Sequence, residues 1–277
     1  MRQVTQEQVV VALKAVGIDR GDGLLVHSAL QYLGQPAGGV ELYFHALRAV
    51  LEGSQISQVQ PAGTRSPTPN SQLRMGTLAV PTFNFAFARG EPYDPKTTPS
   101  RGMGAFSEYV RLLPGALRTS HPMQSLTVIG CHAADLANRD TSSAFDPGSA
   151  YERLLELDFK LLLLGADIQA VSMLHYSEQR FNVPYRYWKD FTGPVNTPAG
   201  WQTHAYRMFV RDLGIDPKIE LYPVQNMLKA RGQWCSQALN YGCISSCRLV
   251  DFTAAVDEFL RRDPWSLVTN PPANLHC

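Results

Sequence analysis

The sequence lacks a long apolar segment. Its 277 residues contain no uninterrupted apolar run of the roughly 18 residues that a membrane-spanning helix requires. The N-terminus, Met1 to Gln8, also lacks the apolar core of a signal peptide. These two absences predict a cytoplasmic protein that has no membrane partner.

An excess of charge of either sign is also missing. The chain carries 25 basic and 24 acidic side chains, so its formal net charge is only +1. A nearly neutral chain has no overall field that would recruit nucleic acid or an anionic membrane. Small neutral, zwitterionic or charged molecules all remain open as partners.

Cysteine is scarce and odd in number, with five residues in the chain. Cys243 and Cys247 are spaced as two metal ligands could be, but no second pair lies beside them. Free thiols are therefore favoured over a zinc site or disulfides, and no metal is expected.

What the sequence does have is alternation of short apolar strands with helical segments. Strands are predicted at 24–27, 77–83, 126–130 and 160–165. Helices are predicted between and around them, at 5–15 with Thr5 as N-cap, 41–51, 104–113 and 250–262. This order predicts an α/β fold, a layered mixed β-sheet flanked by helices, in a single domain over residues 1–277.

One segment departs from this pattern. Residues 53–76 are rich in Gln, Ser, Pro, Gly and Thr and have no apolar period. Such a composition buries too little apolar surface to offset its ordering entropy. It is predicted to be a mobile insertion, either a lid or only an elongated connection.

The stretch from Lys160 to Glu178 carries the main candidate for catalysis. Its apolar run ends at Gly165, and a segment with helical spacing follows. Ser172, His175 and Glu178 are three residues apart, so on a helix they share one face. An imidazole beside a carboxylate makes a base that works near neutral pH. The alternative is an ordinary core or surface histidine.

Two polar loops follow other predicted strands. Ser28 to Val40 is Gly-rich and opens a helix, so its backbone N–H groups could cradle an anion. It matches neither the P-loop nor the dinucleotide fingerprint, and it could equally be an ordinary connection. Pro114 to Ser125 could bind a phosphate or orient a catalytic group, or be a solvated turn. Cys131, a rival nucleophile near it, has an apolar setting that indicates an inert thiol.

These motifs, in this order, resemble the aminoglycoside 3-N-acetyltransferase family. The resemblance spans about residues 5 to 190 and is weak beyond 190. It rests on the following segments: Gly21-Asp22, His27-Ser28, Gly38-Gly39, Gly76-Thr77, Pro81-Thr82-Phe83, Asp94-Pro95, Pro114-Gly115-Ala116, Arg118-Thr119-Ser120-His121-Pro122, Ser125, Leu162-Leu163-Leu164-Gly165, Leu174-His175-Tyr176 and Glu178.

The resemblance implies an antibiotic N-acetyltransferase-like fold, distinct from that of Gcn5-related enzymes, and an acetyl-CoA-dependent acyltransferase of the kind that confers antibiotic resistance. It implies that His175 is the general base on the acceptor amine and that Glu178 lies in the same site. Acetyl-CoA is implied as co-substrate, and a homodimer is possible. The residues assigned to the CoA side are His27, Ser28, Ala29, Leu30, Gly38, Gly39, Val40, Arg118, Ser120 and Ser125.

The chain departs from the family's usual motifs at two positions. Ala29 follows Ser28 where the family usually has a second Ser, which removes a hydroxyl from the CoA loop. Ser172 stands where the family often has Thr, which keeps one. The first change leaves open a member that binds a small ligand without turnover.

The acceptor is the least determined part. A polycationic aminoglycoside calls for several carboxylates around the pocket. Candidate contacts are Asn84, Asp94, Asp167 and Glu178, with Glu91 and Asp190 as further carboxylates. An aromatic set fits a less charged amine equally well: Phe83, Phe85, Phe87, Tyr185, Tyr187 and Trp188. In the expected mechanism His175 takes a proton from the amine, Glu178 orients the ring, and a backbone N–H or the Ser172 hydroxyl stabilises the oxyanion.

Overall fold

The computed structural model describes residues 2–53 and 76–272. The predicted insertion at 53–76 therefore lies, except for its two end residues, outside the described residues. The helices are α1 (Gln6–Ala15), α2 (Glu41–Glu52), α3 (Gly104–Arg111), α4 (Ala133–Ala137), α5 (Ala150–Glu156), α6 (Leu174–Arg180), α7 (Tyr222–Ala230) and α8 (Leu249–Arg262). The strands are β1 (Gln3–Val4), β2 (Gly23–Ser28), β3 (Gln35–Pro36), β4 (Thr77–Pro81), β5 (Leu117–Arg118), β6 (Leu126–Ile129), β7 (Lys160–Leu164), β8 (Arg186–Thr197), β9 (Gly200–Arg211), β10 (Cys235–Leu239) and β11 (Gly242–Arg248).

The predicted N-cap of α1 is confirmed. The Gln8 backbone N–H donates to Thr5 Oγ1 at 3.3 Å, and the Thr5 N–H donates to Gln8 Oε1 at 2.9 Å. This reciprocal capping box satisfies two N–H groups that a helix start otherwise leaves without partners.

A seven-stranded sheet in the order β10-β11-β7-β2-β4-β6-β5 forms the centre of the fold. β2 pairs in parallel with β4 and β7, and the remaining pairs are antiparallel. The mixed sheet flanked by helices confirms the predicted fold class. The carboxyl ends of β2, β4, β5 and β7 lie at one edge together with the start of β6. We call this the carboxyl edge.

The central strands are apolar on both sides because helices cover both faces of the sheet. Leu25, Leu161 and Leu163 point into the cluster that packs on α5, α6, α7 and α8. Leu162 and Leu164 point the opposite way, into the cluster that packs on α1, α2 and α3. This two-sided burial explains why the strands read as continuous apolar runs instead of alternating ones.

A long two-stranded hairpin, β8–β9, lies outside the central sheet and crosses the carboxyl edge. The Arg207 backbone N–H donates to the Ser142 carbonyl at 2.9 Å, and the Tyr93 N–H donates to the Pro194 carbonyl at 2.9 Å. The hairpin therefore contacts two loops of the main body. The sequence analysis predicted neither strand, although Thr197 to Gly200 is a usable turn signal.

Two expectations differ from the structure: one concerns the start of α6, and the other concerns the surroundings of Cys131. α6 begins at Leu174, so Ser172 precedes the helix and does not share a helical face with His175 and Glu178. Cys131 is exposed and follows the end of β6, at the edge of the sheet opposite the carboxyl edge. The four described cysteines are free thiols. No described helix is long and apolar enough to span a bilayer.

Candidate functional site

The geometry of the candidate site is set by one turn of α6. His175 and Glu178 are three residues apart, and the His175 Nδ1 atom lies 2.6 Å from Glu178 Oε2. An ionised carboxylate only accepts hydrogen bonds, so Nδ1 carries the proton and donates it. In the neutral ring the lone pair is then on Nε2. Because the His175 side chain is 32% exposed, this nitrogen belongs to a ring that a substrate can reach.

Glu178 is completely buried. Burial alone would raise its pKa, but the contacts with His175 and Arg186 outweigh it and hold the pKa below its usual value. The Tyr185 hydroxyl lies beside this carboxylate, and burial together with that negative charge raises the pKa of Tyr185. Glu178 therefore remains a carboxylate although it is buried.

Arg186, the first residue of β8, completes this cluster and was missed in the sequence analysis. Its Nε lies 2.8 Å from Glu178 Oε2, and its Nη2 lies 3.2 Å from His175 Nδ1. Its side chain is largely buried. No local motif marks this arginine, but its place eight residues after Glu178 at the start of a strand is a weak signal.

Ser172 belongs to a different hydrogen-bond network. Its backbone N–H donates to His27 Nε2 at 3.1 Å, and its Oγ also lies 3.1 Å from that nitrogen. Nε2 is thus an acceptor, and burial lowers the pKa of His27 to about 4, so this ring is neutral. His27 fixes the turn that leads into α6, and the Ser172 hydroxyl is already engaged there.

The predicted CoA loop begins at the end of β2, on the carboxyl edge. Ser28 and Ala29 are half-buried, and Leu30 starts a short 3₁₀ helix. Gly38 and Gly39 have φ angles of 99° and 105°, which favour glycine. A Cβ at Gly38 would meet open space, whereas one at Gly39 would come within 2.5 Å of Glu41 Oε2.

The start of α2 offers a partial fit to a phosphate group. Val40 is its N-cap, and among the described residues no side chain caps the helix. The Leu42 and Tyr43 N–H groups donate to the Gly39 and Val40 carbonyls, so any donors to a phosphate come from the N–H groups before Leu42. The Glu41 carboxylate beside Gly39 opposes an anion unless it turns away. The start of α2 thus combines backbone donors with an opposing carboxylate.

Arg118 lies at the same edge but is fully engaged in internal contacts. Its Nε donates to Ser125 Oγ at 2.9 Å, its Nη1 to the Thr98 carbonyl at 2.5 Å, and its Nη2 to the Thr82 carbonyl. The guanidinium also lies 5.2 Å from the centre of the Tyr93 ring. Burial lowers the pKa of Arg118. It holds three loops together.

His121 is also buried and bonded at both ring nitrogens. The Gln124 N–H donates to Nδ1 at 3.1 Å, and Nε2 lies 3.3 Å from the Arg207 carbonyl. Burial lowers its pKa to about 4. Ser125 is buried within the Arg118 contacts, and Ser120 is half-buried nearby. His121 thus attaches the hairpin to the β5–β6 turn.

The predicted acceptor contacts are scattered and occupied. Asn84 donates to the Pro99 carbonyl at 2.7 Å and accepts from the Ala86 N–H at 2.8 Å. Asp94 accepts from Asn196 at 3.0 Å and from the Lys96 N–H at 2.8 Å. Asp167 caps the short helix before Ser172 and accepts from Tyr222 at 3.0 Å. Only Glu178 among them contacts His175.

Metal chemistry has no cluster to support it in the part of the chain that the structure describes. No group of three or more His, Cys, Asp and Glu side chains is placed to hold an ion. The imidazole–carboxylate pair with its arginine is a feature of this edge that can carry proton transfer.

Comparison with known proteins gives a consistent result. The family model for aminoglycoside 3-N-acetyltransferase matches residues 25–261. Aminoglycoside N(3)-acetyltransferase III from Salmonella sp is 30% identical over 206 residues, which are 72% of this chain and 70% of the relative.

Solved structures agree in fold. The structure of AAC-IIIb in its binary complex with CoASH superposes with a TM-score of 0.76 at 22% identity, covering 98% of this chain and all of the other. AAC-VIa bound to sisomicin superposes with a TM-score of 0.74 at 20% identity, covering 94% and 98%. The chain belongs to the aminoglycoside 3-N-acetyltransferase family and is an acyltransferase.

Proposed function

We propose that this protein transfers an acetyl group from acetyl-CoA directly to a primary amine of an aminoglycoside or a related small amine, with His175 as general base. The observation that carries the proposal is the 2.6 Å contact between His175 Nδ1 and the buried Glu178 carboxylate. That contact fixes one ring tautomer and leaves Nε2 as the proton acceptor.

The chemistry requires such an acceptor. An ammonium group has no lone pair, so a proton must leave the amine before or during attack on the thioester carbonyl. His175 Nε2 takes that proton, and Glu178 stabilises the imidazolium that results. A direct transfer needs no acyl-enzyme. Cys131 lies at the opposite edge of the sheet, which argues against it as nucleophile for this site.

Acetyl-CoA, the co-substrate, supplies the activated acetyl group. Support for it comes from family membership and from the CoASH complex of AAC-IIIb, a structural neighbour of this fold. Within this chain the segment from Ser28 to Val40 would receive the phosphates, because it combines open backbone at Gly38 with an uncapped helix start. Arg118 and Ser125 would support this side indirectly by fixing the neighbouring loops.

One observation favours a second acceptor class, an amine that carries fewer positive charges than an aminoglycoside. The carboxylates nominated for a polycation already have partners: Asp94, Asp167 and Glu178 accept hydrogen bonds, and Glu91 pairs with Arg89 at 3.1 Å. Asp190 is largely exposed and lies 3.6 Å from Arg207. The arginine partners of Glu91, Glu178 and Asp190 reduce the negative field that a polycation would meet, whereas Asp94 and Asp167 accept from neutral donors and keep their charge.

The deciding experiment is a thiol-release assay with acetyl-CoA. The acceptor panel should contain several aminoglycosides and small amines with a single positive charge, each at matched concentration. Release that depends on an amine supports the transferase, and the ratio of kcat/KM values decides between the acceptor classes. Tight binding of CoA or an amine with no release from any acceptor would instead support a binding protein on this fold.

A further inference from the structure

Arg186 is placed against both members of the His175–Glu178 pair. It approaches Glu178 Oε2 at 2.8 Å and His175 Nδ1 at 3.2 Å, and its side chain is only 12% exposed. Its Nη1 also donates to the Phe209 carbonyl at 3.1 Å, so β9 holds the guanidinium in place. An exposed arginine would sample many rotamers, whereas this one is confined to the cluster.

The approach to His175 Nδ1 is not a hydrogen bond. A guanidinium has only donors, and Nδ1 already carries the proton that Glu178 accepts. Arg186 therefore acts on the imidazole as a nearby positive charge and on the carboxylate as an ion-pair partner. Both effects disfavour a positive charge on the ring.

We propose that Arg186 is a positioning residue that sets the basicity of His175: it shares the Glu178 carboxylate with the imidazole and so weakens the pull of that carboxylate on a ring proton. Without Arg186 the full negative charge of Glu178 would act on the imidazole and favour its charged form. Arg186 draws part of that charge away, while the Nδ1–Glu178 contact still orients the ring.

The other groups around the pair do not supply this charge. The Tyr185 hydroxyl lies beside Glu178 and is neutral, because burial and the carboxylate raise its pKa. The Phe145 ring, from the loop before α5, packs 6.0 Å from the His175 ring and is apolar. Within the described residues, Glu178 and Arg186 are thus the charged groups in contact with the imidazole.

The inference rests on the proposed role of His175 as base, and its test separates the two. The pKa of His175 is measured by NMR titration, which needs no turnover, in wild type and in Arg186→Gln. We expect the pKa to rise by about one unit or more in the variant, the usual effect of losing a charge at this distance. The rising limb of kcat/KM against pH should move upward with it.

Arg211→Gln is the matched control. Arg211 lies opposite Arg186 on the hairpin, but its side chain is 57% exposed and faces Asp216 at 3.4 Å. This control should leave the pKa of His175 unchanged. Arg186→Lys retains the charge, so the rising limb of kcat/KM against pH should stay close to that of wild type. If Arg186→Lys shifts the limb as far as Arg186→Gln does, charge is not the cause and the proposal fails.

A second variant covers the case in which Arg186→Gln does not fold. In Glu178→Gln the imidazole loses its carboxylate but keeps Arg186, so its pKa should fall well below the ordinary value near 6.5. Titration near 6.5 in that variant would overturn the role of Arg186. Wild type that shows the expected NMR shifts but releases no thiol would instead overturn the proposed function.

Discussion

Two polar clusters lie at the carboxyl edge, and each contains an arginine and a histidine. In the cluster of His175, Glu178 and Arg186, one ring nitrogen has no hydrogen-bond partner among residues 2–53 and 76–272, and the ring is half-exposed. In the cluster of Arg118 and His121, both ring nitrogens and all three guanidinium nitrogens are bonded to the protein itself. Similar residue types therefore form an accessible imidazole–carboxylate pair, the proposed base, in one place and hold loops together in the other.

The largest expected effect separates the clusters by activity. His175→Ala should lower kcat by roughly a hundredfold to ten-thousandfold, the usual contribution of a positioned base. The melting temperature and the affinity for CoA should change little, because the ring is half-exposed. Steady-state kinetics, thermal unfolding and CoA titration measure the three quantities.

His132→Ala is the control for that variant. His132 is also half-buried but follows β6 at the opposite edge of the sheet. It should retain wild-type kcat. A His175→Ala protein that keeps full activity on a confirmed acceptor would show that another group accepts the proton.

The next effect is on stability and concerns Arg118. Arg118→Met removes the side-chain donor to the Thr98 carbonyl and one of two donors to the Thr82 carbonyl, which Ser125 Oγ also reaches at 2.9 Å. It also removes the donor to Ser125 Oγ. Buried polar groups left unpaired cost about 1–3 kcal/mol each, so we expect a loss of about 2–4 kcal/mol in unfolding free energy. Urea unfolding measures this loss.

Arg139→Met provides the comparison, since Arg139 pairs with Asp135 near the surface at 2.9 Å. It should cost less than about 1 kcal/mol. In Arg118→Met the rising limb of kcat/KM against pH, which we assign to His175, should stay at the same pH. A shifted limb with unchanged stability would mean that Arg118 acts on the reaction and does not only assemble loops.

The smallest effect is a pH dependence of stability. Burial lowers the pKa of His121 to about 4, below the value near 6.5 of an unfolded chain. Between these pH values the unfolded chain binds one proton more than the folded chain, so the unfolding free energy falls as the pH is lowered. The contribution of neutral His121 to that free energy is therefore complete above about pH 6.5 and is lost toward pH 4.

His121→Asn should remove about one proton from the slope of unfolding free energy against pH in that window. His27, whose pKa burial also lowers to about 4, should maintain the remaining slope. An unchanged slope in His121→Asn would show that His121 is already protonated in the folded protein at mildly acidic pH.

The sequence predicted the elements whose signals are local. The capping box at Thr5 and the apolar runs of β2, β4, β6 and β7 depend on neighbouring residues, and they appear within about two residues of their predicted bounds. The pairing of His175 with Glu178 was also predictable, because one helical turn brings them together.

The errors came from contacts that only the tertiary fold creates. Ser172 has the right spacing for a helix, but its N–H bonds His27, and α6 begins after it. Cys131 looked close to the site because β6 was not known to run antiparallel to β4. Arg186 is brought to Glu178 by the hairpin, whose strands lack a regular apolar alternation. The cytoplasmic location, the single domain and a homodimer stay predictions.

The contact between Arg186 and the Phe209 carbonyl has an evolutionary consequence. Because the acceptor is a backbone atom, the residue at 209 can change without loss of that hydrogen bond. The outward-facing side chains of β8 and β9 can also change while the guanidinium keeps its position. The hairpin can therefore diverge in sequence while the guanidinium stays against Glu178.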